Sequence, residues 1–415
     1  MPISPSTVVT NQLTDLVMLR FLVNAPYLTV GSKKYFSDQL VGKRNGVKYQ
    51  FVVRDAGKVY NSLAHVDPAN PSNPAAKDTV IEQKVEMQLE PWHIMVSTGA
   101  VEAVTDLRWD DEVAKPNGAK LANGVIRDTV KKNFPVAASA VVGEGFQPLA
   151  EAGAALEEIS SEKVYGFVDA KYQAILTANG QQFNPVGSPD KFYANGLLGT
   201  FHNVEYRAQR FLPKVKISDT VKKAIEAAGT SPVVDFVNKT LTLTSNSTAT
   251  IPAGTPIFME DVYACDLIGD VTSMPFAFIA AENCTGDGNK FTIKLANLPY
   301  GNADGTIAKR GTRIIAKENG DSFANAAAVT GAVTTLAEGT YFCGQLRLDG
   351  AMEFETLNKL DASNADTKVG NVEGFTMFEN RVVDLDAMTN DTRWDVITLA
   401  GIIDPRAVIN VYTKA

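Results

Sequence analysis

Alternating polar and apolar positions predict a long two-stranded ribbon in the first quarter of the chain. From Val80 to Leu89 charged and apolar residues alternate imperfectly, which indicates a strand with one solvent-exposed face. Val47 to Val53 alternate in the same way after Asn45-Gly46, and a stretch with three prolines, 65–78, connects the two segments. Because an isolated two-stranded ribbon is only marginally stable, this pattern indicates that the ribbon is completed by a neighbouring subunit.

Helical periodicity is weak at the N-terminus and clear after residue 117. The first 30 or so residues predict an extended arm with one short helix, which needs another surface to lie on. A period near 3.6 residues over 117–142 predicts a long helix, weakened or kinked at Gly124 and Pro135.

Helices and strands alternate after residue 147. The sequence predicts an alanine-rich helix from about Pro148 to just before Ser160, a strand from Val164 to Val168, and a helix capped by Asp169. This alternation favours a mixed sheet flanked by helices. Residues 213–318 are instead rich in Thr and Val with closely spaced turns, which predicts a small all-β module inserted into the mixed region.

Composition and charge narrow the class of protein. The 415 residues are 45% hydrophobic and 21% charged, as in a globular protein with two or three packed regions. The net charge of -8 and the absence of a Lys/Arg-rich run argue against a dedicated nucleic-acid binder. Three widely separated cysteines fit buried apolar residues in a reducing cytoplasm, and no secretory signal or membrane-spanning stretch is expected.

Candidate catalytic residues form no convincing constellation. The histidines His65, His93 and His202 are far apart and belong to no metal-binding or nucleophile motif. The adjacent carboxylates at 157–158 and 110–112 point in different directions on a helix, so solvated charge is the favoured interpretation. We therefore expect no enzymatic site, no cofactor and no metal.

Basic residues cluster in two places. The ribbon region is the densest, and projecting side chains there are well placed to meet acidic residues of a neighbour. The stretch NVEYRAQRFLPKVK might contact nucleic acid, but four cations in an acidic chain are more typical of salt bridges between subunits. The predicted subunit-interface residues are Lys43, Arg44, Lys48, Arg54, Lys58, Arg207 and Arg210.

The order of elements resembles the capsid fold shared by tailed phages, encapsulins and herpesviruses, the Hong Kong ninety-seven (HK97-like) fold. The segments that carry the resemblance are FQPLAEAGAALEEISSEKVYGFVDAKYQAILTANG, then YRAQRFLPKVKIS, then KTLTLTSNSTATIPAGTPIFMEDVYACDL with its turn at 252–254. The tail TMFENRVVDLDAMTNDTRWDVITLAGIIDPRAVINV, with a turn at 405–407, is similar to the final strands of the family. The β insertion looks like that of short-tailed phages of the P-twenty-two type.

The resemblance implies an α+β capsid fold in six parts. These are an N-terminal arm at 1–31, an extended loop at 32–90, a peripheral domain with a spine helix at 91–147, the first part of a central domain at 148–212, the inserted β domain at 213–318, and the completion of the central and peripheral domains at 319–415.

The implied function is that of a major capsid protein. The resemblance implies pentamers and hexamers of identical copies, assembled in the host bacterial cytoplasm with a scaffolding protein and a portal, and enclosing double-stranded DNA in the virion without sequence-specific binding. Two alternatives stay open: an encapsulin-like compartment shell, and a β-rich surface protein or a hydrolase using Asp110, Asp111 or His202.

Overall fold

The computed structural model describes thirteen separate parts of the chain. They are residues 5–33, 48–54, 82–99, 110–178, 197–201, 203–229, 232–267, 269–299, 314–320, 323, 326–357, 367–384 and 389–415. His65 and His202, and with them Lys43, Arg44 and Lys58, lie outside these parts.

The described residues contain both helices and strands, which confirms the predicted α+β class. The α-helices of the described residues are α1 (Pro5–Val23), α2 (Pro26–Thr29), α3 (Lys115–Asn133), α4 (Gln147–Ile159), α5 (Ala170–Ala178) and α6 (Asp219–Glu226). The strands are β1 (Ser32–Lys33), β2 (Lys48–Arg54), β3 (Glu82–Gln88), β4 (Glu90–Gly99), β5 (Ser139–Gly143), β6 (Val164–Val168), β7 (Leu197–Phe201), β8 (Val204–Ala208), β9 (Lys214–Ile217), β10 (Val233–Asp235), β11 (Thr240–Thr244), β12 (Thr250–Ile251), β13 (Pro256–Cys265), β14 (Val271–Ile279), β15 (Cys284–Thr285), β16 (Lys290–Lys294), β17 (Ile315–Ala316), β18 (Val333–Thr335), β19 (Gly339–Leu348), β20 (Met352–Thr356), β21 (Lys368–Val372), β22 (Phe375–Asp384), β23 (Thr389–Ile402) and β24 (Val408–Lys414).

Two large sheets organise the described residues. The peripheral sheet has the order β1-β20-β23-β22-β21, with β4 pairing to β23 as well. The central sheet has the order β17-β13-β14-β5-β24-β19-β6-β8-β7, with β18 on β13 and β9 on β19. Helices α1 and α3 pack on the peripheral sheet, and α4 and α5 pack on the central sheet.

The N-terminal segment differs from the predicted extended arm. It forms the 19-residue helix α1, and Val17, Met18 and Phe21 are fully buried in the core of the same chain. Leu16 and Leu19 make the segment apolar on several sides, which hid its helical period in the sequence. The prediction of an extended arm with one short helix was therefore wrong, and the surface on which the segment lies belongs to its own chain.

The helix predicted over 117–142 ends earlier than expected. Helix α3 ends at Asn133, a short 3₁₀ turn covers Phe134–Val136, and β5 begins at Ser139. Pro135 has no N–H to donate and cannot continue the helix, so it terminates the element. The predicted helix after residue 147, the strand Val164–Val168 and the Asp169 cap, which accepts a 2.8 Å hydrogen bond from the Lys171 N–H, are confirmed.

The strands between residues 213 and 318 are divided between small sheets and the central sheet, which contains β9, β13, β14 and β17. Strands β10, β11 and β16 make one sheet and β12 and β15 another, while β14 meets β5 at the Phe276–Ser139 pair. The three cysteines are single and buried, as predicted, and burial raises the pKa of the Cys343 thiol well above its ordinary value. The extent of an inserted domain at 213–318 stays a prediction.

Helices α1 and α3 cross in close contact at Gly118. A Cβ at Gly118 would lie 2.7 Å from the Val17 carbonyl oxygen and 2.9 Å from the Phe21 nitrogen, so Gly118→Ala forces the helices apart. We expect it to lower the free energy of unfolding by about 1–3 kcal/mol in urea denaturation.

Gly124→Ala is the matched control on the same helix. A Cβ there would meet only the Trp92 ring, at 3.9 Å. Because alanine is the better helix former, this change is expected to raise the free energy of unfolding by roughly 0.5–1 kcal/mol. Equal losses from the two substitutions would contradict the described crossing.

Candidate subunit interface

The predicted ribbon is present, and its base is anchored to the peripheral sheet. Strands β2 and β3 pair antiparallel from Lys48↔Gln88 to Arg54↔Glu82, and within the described residues they pair with no other strand. Seven residue pairs span about 23 Å at ~3.3 Å per residue. The chain continues through Leu89 directly into β4 of the peripheral sheet.

Two buried side chains anchor the base of the ribbon. Met87 and Leu89 are 8% and 7% exposed, and a Cβ placed at Gly401 of β23 would lie 3.1 Å from the Met87 Cε. The ribbon is thus tied to the longest strand of the peripheral sheet at one end. Among the described strands, β2 and β3 pair only with each other.

The structure places two of the five predicted basic residues of this region. Lys48 and Arg54 lie at opposite ends of β2, and Arg54 is the register partner of Glu82. The other three lie outside the described residues.

The outer face of the peripheral sheet is a second exposed surface, which the sequence reasoning did not identify. Along β4, Trp92, Ile94 and Val96 turn towards the core, whereas His93 and Met95 are exposed, Met95 to 59%. The alternation of inward and outward positions in EPWHIMVST was the sequence signal from which this surface could have been predicted.

Polar groups border Met95 on the neighbouring strand. Arg393, its register partner, donates from Nε and Nη2 to Asp395 Oδ1 at 2.9 and 2.6 Å, and Asn380 Nδ2 donates to Asp395 Oδ2 at 3.2 Å. Met95 is thus a single exposed apolar side chain bordered by polar groups that are hydrogen-bonded to one another.

A buried arginine joins the N-terminal helices to the central sheet. Arg347 of β19 is fully buried, and its Nη2 donates to the carbonyl oxygens of Tyr27, at 2.7 Å, and Val30. Its guanidinium lies 4.6 and 5.0 Å from the ring centres of Phe167 and Tyr27. Burial lowers the pKa of Arg347 to about 10, although the nearby Tyr27 and Asp349 act in the opposite direction.

A buried carboxylate joins α1 to the peripheral sheet. Glu379 of β22 is fully buried and accepts hydrogen bonds from the Thr14 hydroxyl, from Trp394 Nε1 at 3.1 Å and from Arg381 Nε at 2.5 Å. A buried charge is tolerated when it is paired and fully hydrogen-bonded. Together with Arg347, this carboxylate makes the two sheets and the N-terminal helices one rigid frame.

The two predicted arginines after residue 204 have different surroundings. Arg207 pairs with Glu205 of its own strand, and Lys163 also reaches that carboxylate, at 2.9 Å. Burial alone would raise the pKa of Glu205, but Lys163 and Arg207 outweigh it and hold the pKa below its ordinary value. Arg207 is thus held within its own subunit.

Arg210 is exposed and shares an aromatic ring with a cation of α3. Its guanidinium lies 4.9 Å from the centre of the Phe211 ring, and that of Arg127 lies 5.2 Å from the same centre. The sequence reasoning identified Arg210 but did not connect it with α3, because 83 positions separate the two arginines in the chain and only the fold brings them together.

The described residues show no assembled metal-binding or catalytic group. No cluster of three or more His, Cys, Asp or Glu is placed to hold a metal ion, and the carboxylates at 157–158 lie exposed on α4. A cleft of about 600 Å³ between β5, α4 and β13 is lined by apolar side chains with Glu151, Glu260 and Asp261. In the described parts of the chain, no helix combines the length and apolar character that crossing a bilayer requires.

Comparison with known proteins finds likenesses in structure only. No protein-family model and no curated protein matches the sequence. Similar solved structures include the capsid of Ralstonia phage GP4, at 6% identity and TM-score 0.44 over 92% of this chain and 86% of that chain. They also include the capsid of cyanophage P-SCSP1u, at 11% and 0.38 over 90% and 84%, and the mature capsid of bacteriophage PhiM1, at 8% and 0.38 over 88% and 82%. Because these TM-scores are low, the likenesses carry no step of the proposal below.

Proposed function

We propose that this chain is the major capsid protein of a tailed bacteriophage, with an HK97-like fold, and that identical copies assemble into a closed shell around double-stranded DNA. The observation that carries the proposal is the ribbon, which is anchored at its base and has no other strand partner in the described residues. A two-stranded ribbon gains stability when another surface covers it. In a homo-oligomer that surface belongs to another copy.

The rigid frame behind the ribbon suits this task. The buried groups Arg347 and Glu379 fix the N-terminal helices to both sheets, so the ribbon projects from a defined base. Repeated contacts of modest strength between such frames sum to a stable shell, and incorrect contacts can still dissociate during assembly.

In this proposal, the basic residues of the ribbon region fix the position at which one copy docks on the next. Lys48 and Arg54, together with Lys43, Arg44 and Lys58, meet acidic residues of the adjacent copy, because charge complementarity selects the correct docking position more than it adds affinity. The exposed surface around Met95 is a further contact area. Copies group as pentamers and hexamers, and a scaffolding protein and a portal take part in assembly in the host cytoplasm.

Electron microscopy tests this function. The chain is expressed alone and with a candidate scaffolding protein, then analysed by negative stain and by sedimentation velocity. We expect closed particles or curved sheets in at least one condition. Small monodisperse species in every condition would contradict the proposal, and co-purification of an enzyme as cargo would favour a storage compartment of the same fold.

A further inference from the structure

An exposed row of cations runs along α3. Lys120, Arg127 and Lys131 are exposed and lie seven and four positions apart, which puts them on one face of the helix. They span about 16 Å at ~1.5 Å per residue. Arg210 extends this row, because it contacts the same Phe211 ring as Arg127. We call these four residues the cationic stripe.

The positive charge of the stripe is not neutralised by the described part of its own subunit. Within the described residues, none of the four forms an ion pair, whereas the adjacent Lys132 is bound by Asp128 and Glu90. This is unusual in a chain whose net charge is -8. Asp128, the carboxylate closest to Arg127 and Lys131 in the sequence, is thus already engaged by another lysine.

Two guanidinium groups held on one ring point to an anionic ligand. Arg127 and Arg210 come from different elements, and both lie about 5 Å from the Phe211 centroid. Like charges that lie around one ring repel each other, and an anion bound beside them relieves that repulsion. Phe211 orients both groups but does not neutralise either.

The length and straightness of the stripe fit a polyanion with closely spaced charges. Duplex DNA presents a phosphate about every 1.7 Å of its axis, so a straight row of cations finds phosphates within reach at any register and any base sequence. A neighbouring protein would instead need carboxylates at matching positions. The rest of this acidic chain repels DNA, which would confine contact to the stripe.

We propose that the cationic stripe binds the phosphodiester backbone of the enclosed duplex DNA. The inference rests on the proposed function, because it makes the stripe a part of the shell surface that meets the DNA. Binding is independent of base sequence, since contacts from Lys and Arg to backbone phosphates carry no sequence information.

The test compares two variants of equal net charge. In the stripe variant Lys120, Arg127, Lys131 and Arg210 are each replaced by Gln. In the control variant Lys222, Lys223, Lys290 and Lys294, which lie on α6 and β16, are replaced by Gln, so that both proteins lose four positive charges. Fluorescence anisotropy measures the binding of the full chain to a labelled duplex of about 30 base pairs.

For wild type, we expect an affinity that falls about 100-fold between ~50 and ~200 mM salt, as four phosphate contacts predict. The stripe variant should bind at least about 30-fold more weakly at the lower salt and lose most of the salt dependence. The control should stay within about threefold of wild type, because its charges act only at long range.

Three results would overturn the inference. These are equal weakening in the two variants, wild-type binding that does not depend on salt, and a stripe variant that still binds DNA like wild type but no longer assembles. The last result would assign the stripe to a contact between subunits. Anisotropy on free subunits tests DNA binding by the stripe and does not require assembly. Microscopy of the wild type tests shell formation and does not require DNA. A failure of this inference can therefore be distinguished from a failure of the proposed function.

Discussion

A variant that lacks the ribbon is expected to fold normally and to form no shells. Because Tyr49 and Met87 are register partners, a two-residue Asn-Gly turn can replace residues 50–86 and join them directly. The change keeps the Met87 anchor and removes only strands that pair with each other among the described residues. We expect a free energy of unfolding within about 1 kcal/mol of wild type, and no particles by electron microscopy or sedimentation.

A shorter deletion provides the comparison for this variant. An Asn-Gly turn in place of residues 55–81 joins Arg54 to Glu82 and retains all seven pairs of the ribbon. It removes Lys58 but keeps β2, β3 and the other four basic residues of the ribbon region, so it should still give particles. Normal assembly by the variant that lacks the whole ribbon would show that the ribbon makes no essential contact between copies.

Arg347→Ala is expected to cause the greatest loss of stability of any single substitution proposed here. The substitution removes both carbonyl contacts to the α2 region and leaves a cavity beside the Phe167 and Tyr27 rings. We expect the free energy of unfolding to fall by about 3–5 kcal/mol in urea denaturation. Arg347→Lys should also destabilise, because an ammonium cannot reproduce a planar guanidinium that donates to two carbonyl oxygens and packs against two rings.

Arg393→Ala is the control arginine for this measurement. Its side chain is 49% exposed and pairs with Asp395 at the surface of the peripheral sheet. An exposed pair contributes little, so the loss should stay below about 1 kcal/mol. If the two substitutions cost the same, Arg347 would not be the anchor described above.

The sequence predicted elements whose signals are local. The alternation on both sides of a proline-rich connection predicted β2 and β3, and the aspartate before a helical run predicted the start of α5. Each of these depends on side chains within a few residues of one another. Periodicity and capping are therefore sufficient to identify them.

The elements that the sequence failed to predict depend on contacts between distant segments. Helix α1 is apolar on several sides because it is covered by both α3 and the peripheral sheet, and a single-face pattern is then absent. Arg347, in the alternating run GQLRLDG, would be expected to face solvent, yet its partners Tyr27 and Val30 lie more than 300 positions earlier. No local pattern can reveal such a partner.

The two proposed functional surfaces also differ in how far the sequence alone reveals them. The basic residues near the ribbon form a visible cluster in the sequence, whereas the cations of α3 are spread over twelve positions and resemble an ordinary solvated helix face. They can be recognised as part of a larger cationic surface only in the fold, where Arg210 and Arg127 contact the same Phe211 ring.

Hydrogen exchange of the ribbon amides tests most directly whether the ribbon is completed by another copy. Exchange at residues 48–54 and 82–88 is compared between free subunits and assembled particles, with the amides of β24 as an internal reference. The account predicts exchange at least about 100-fold slower in the particles for the ribbon and little change for β24. Equal protection of the ribbon in both states would mean that it is stable within a lone subunit, and this would contradict the account.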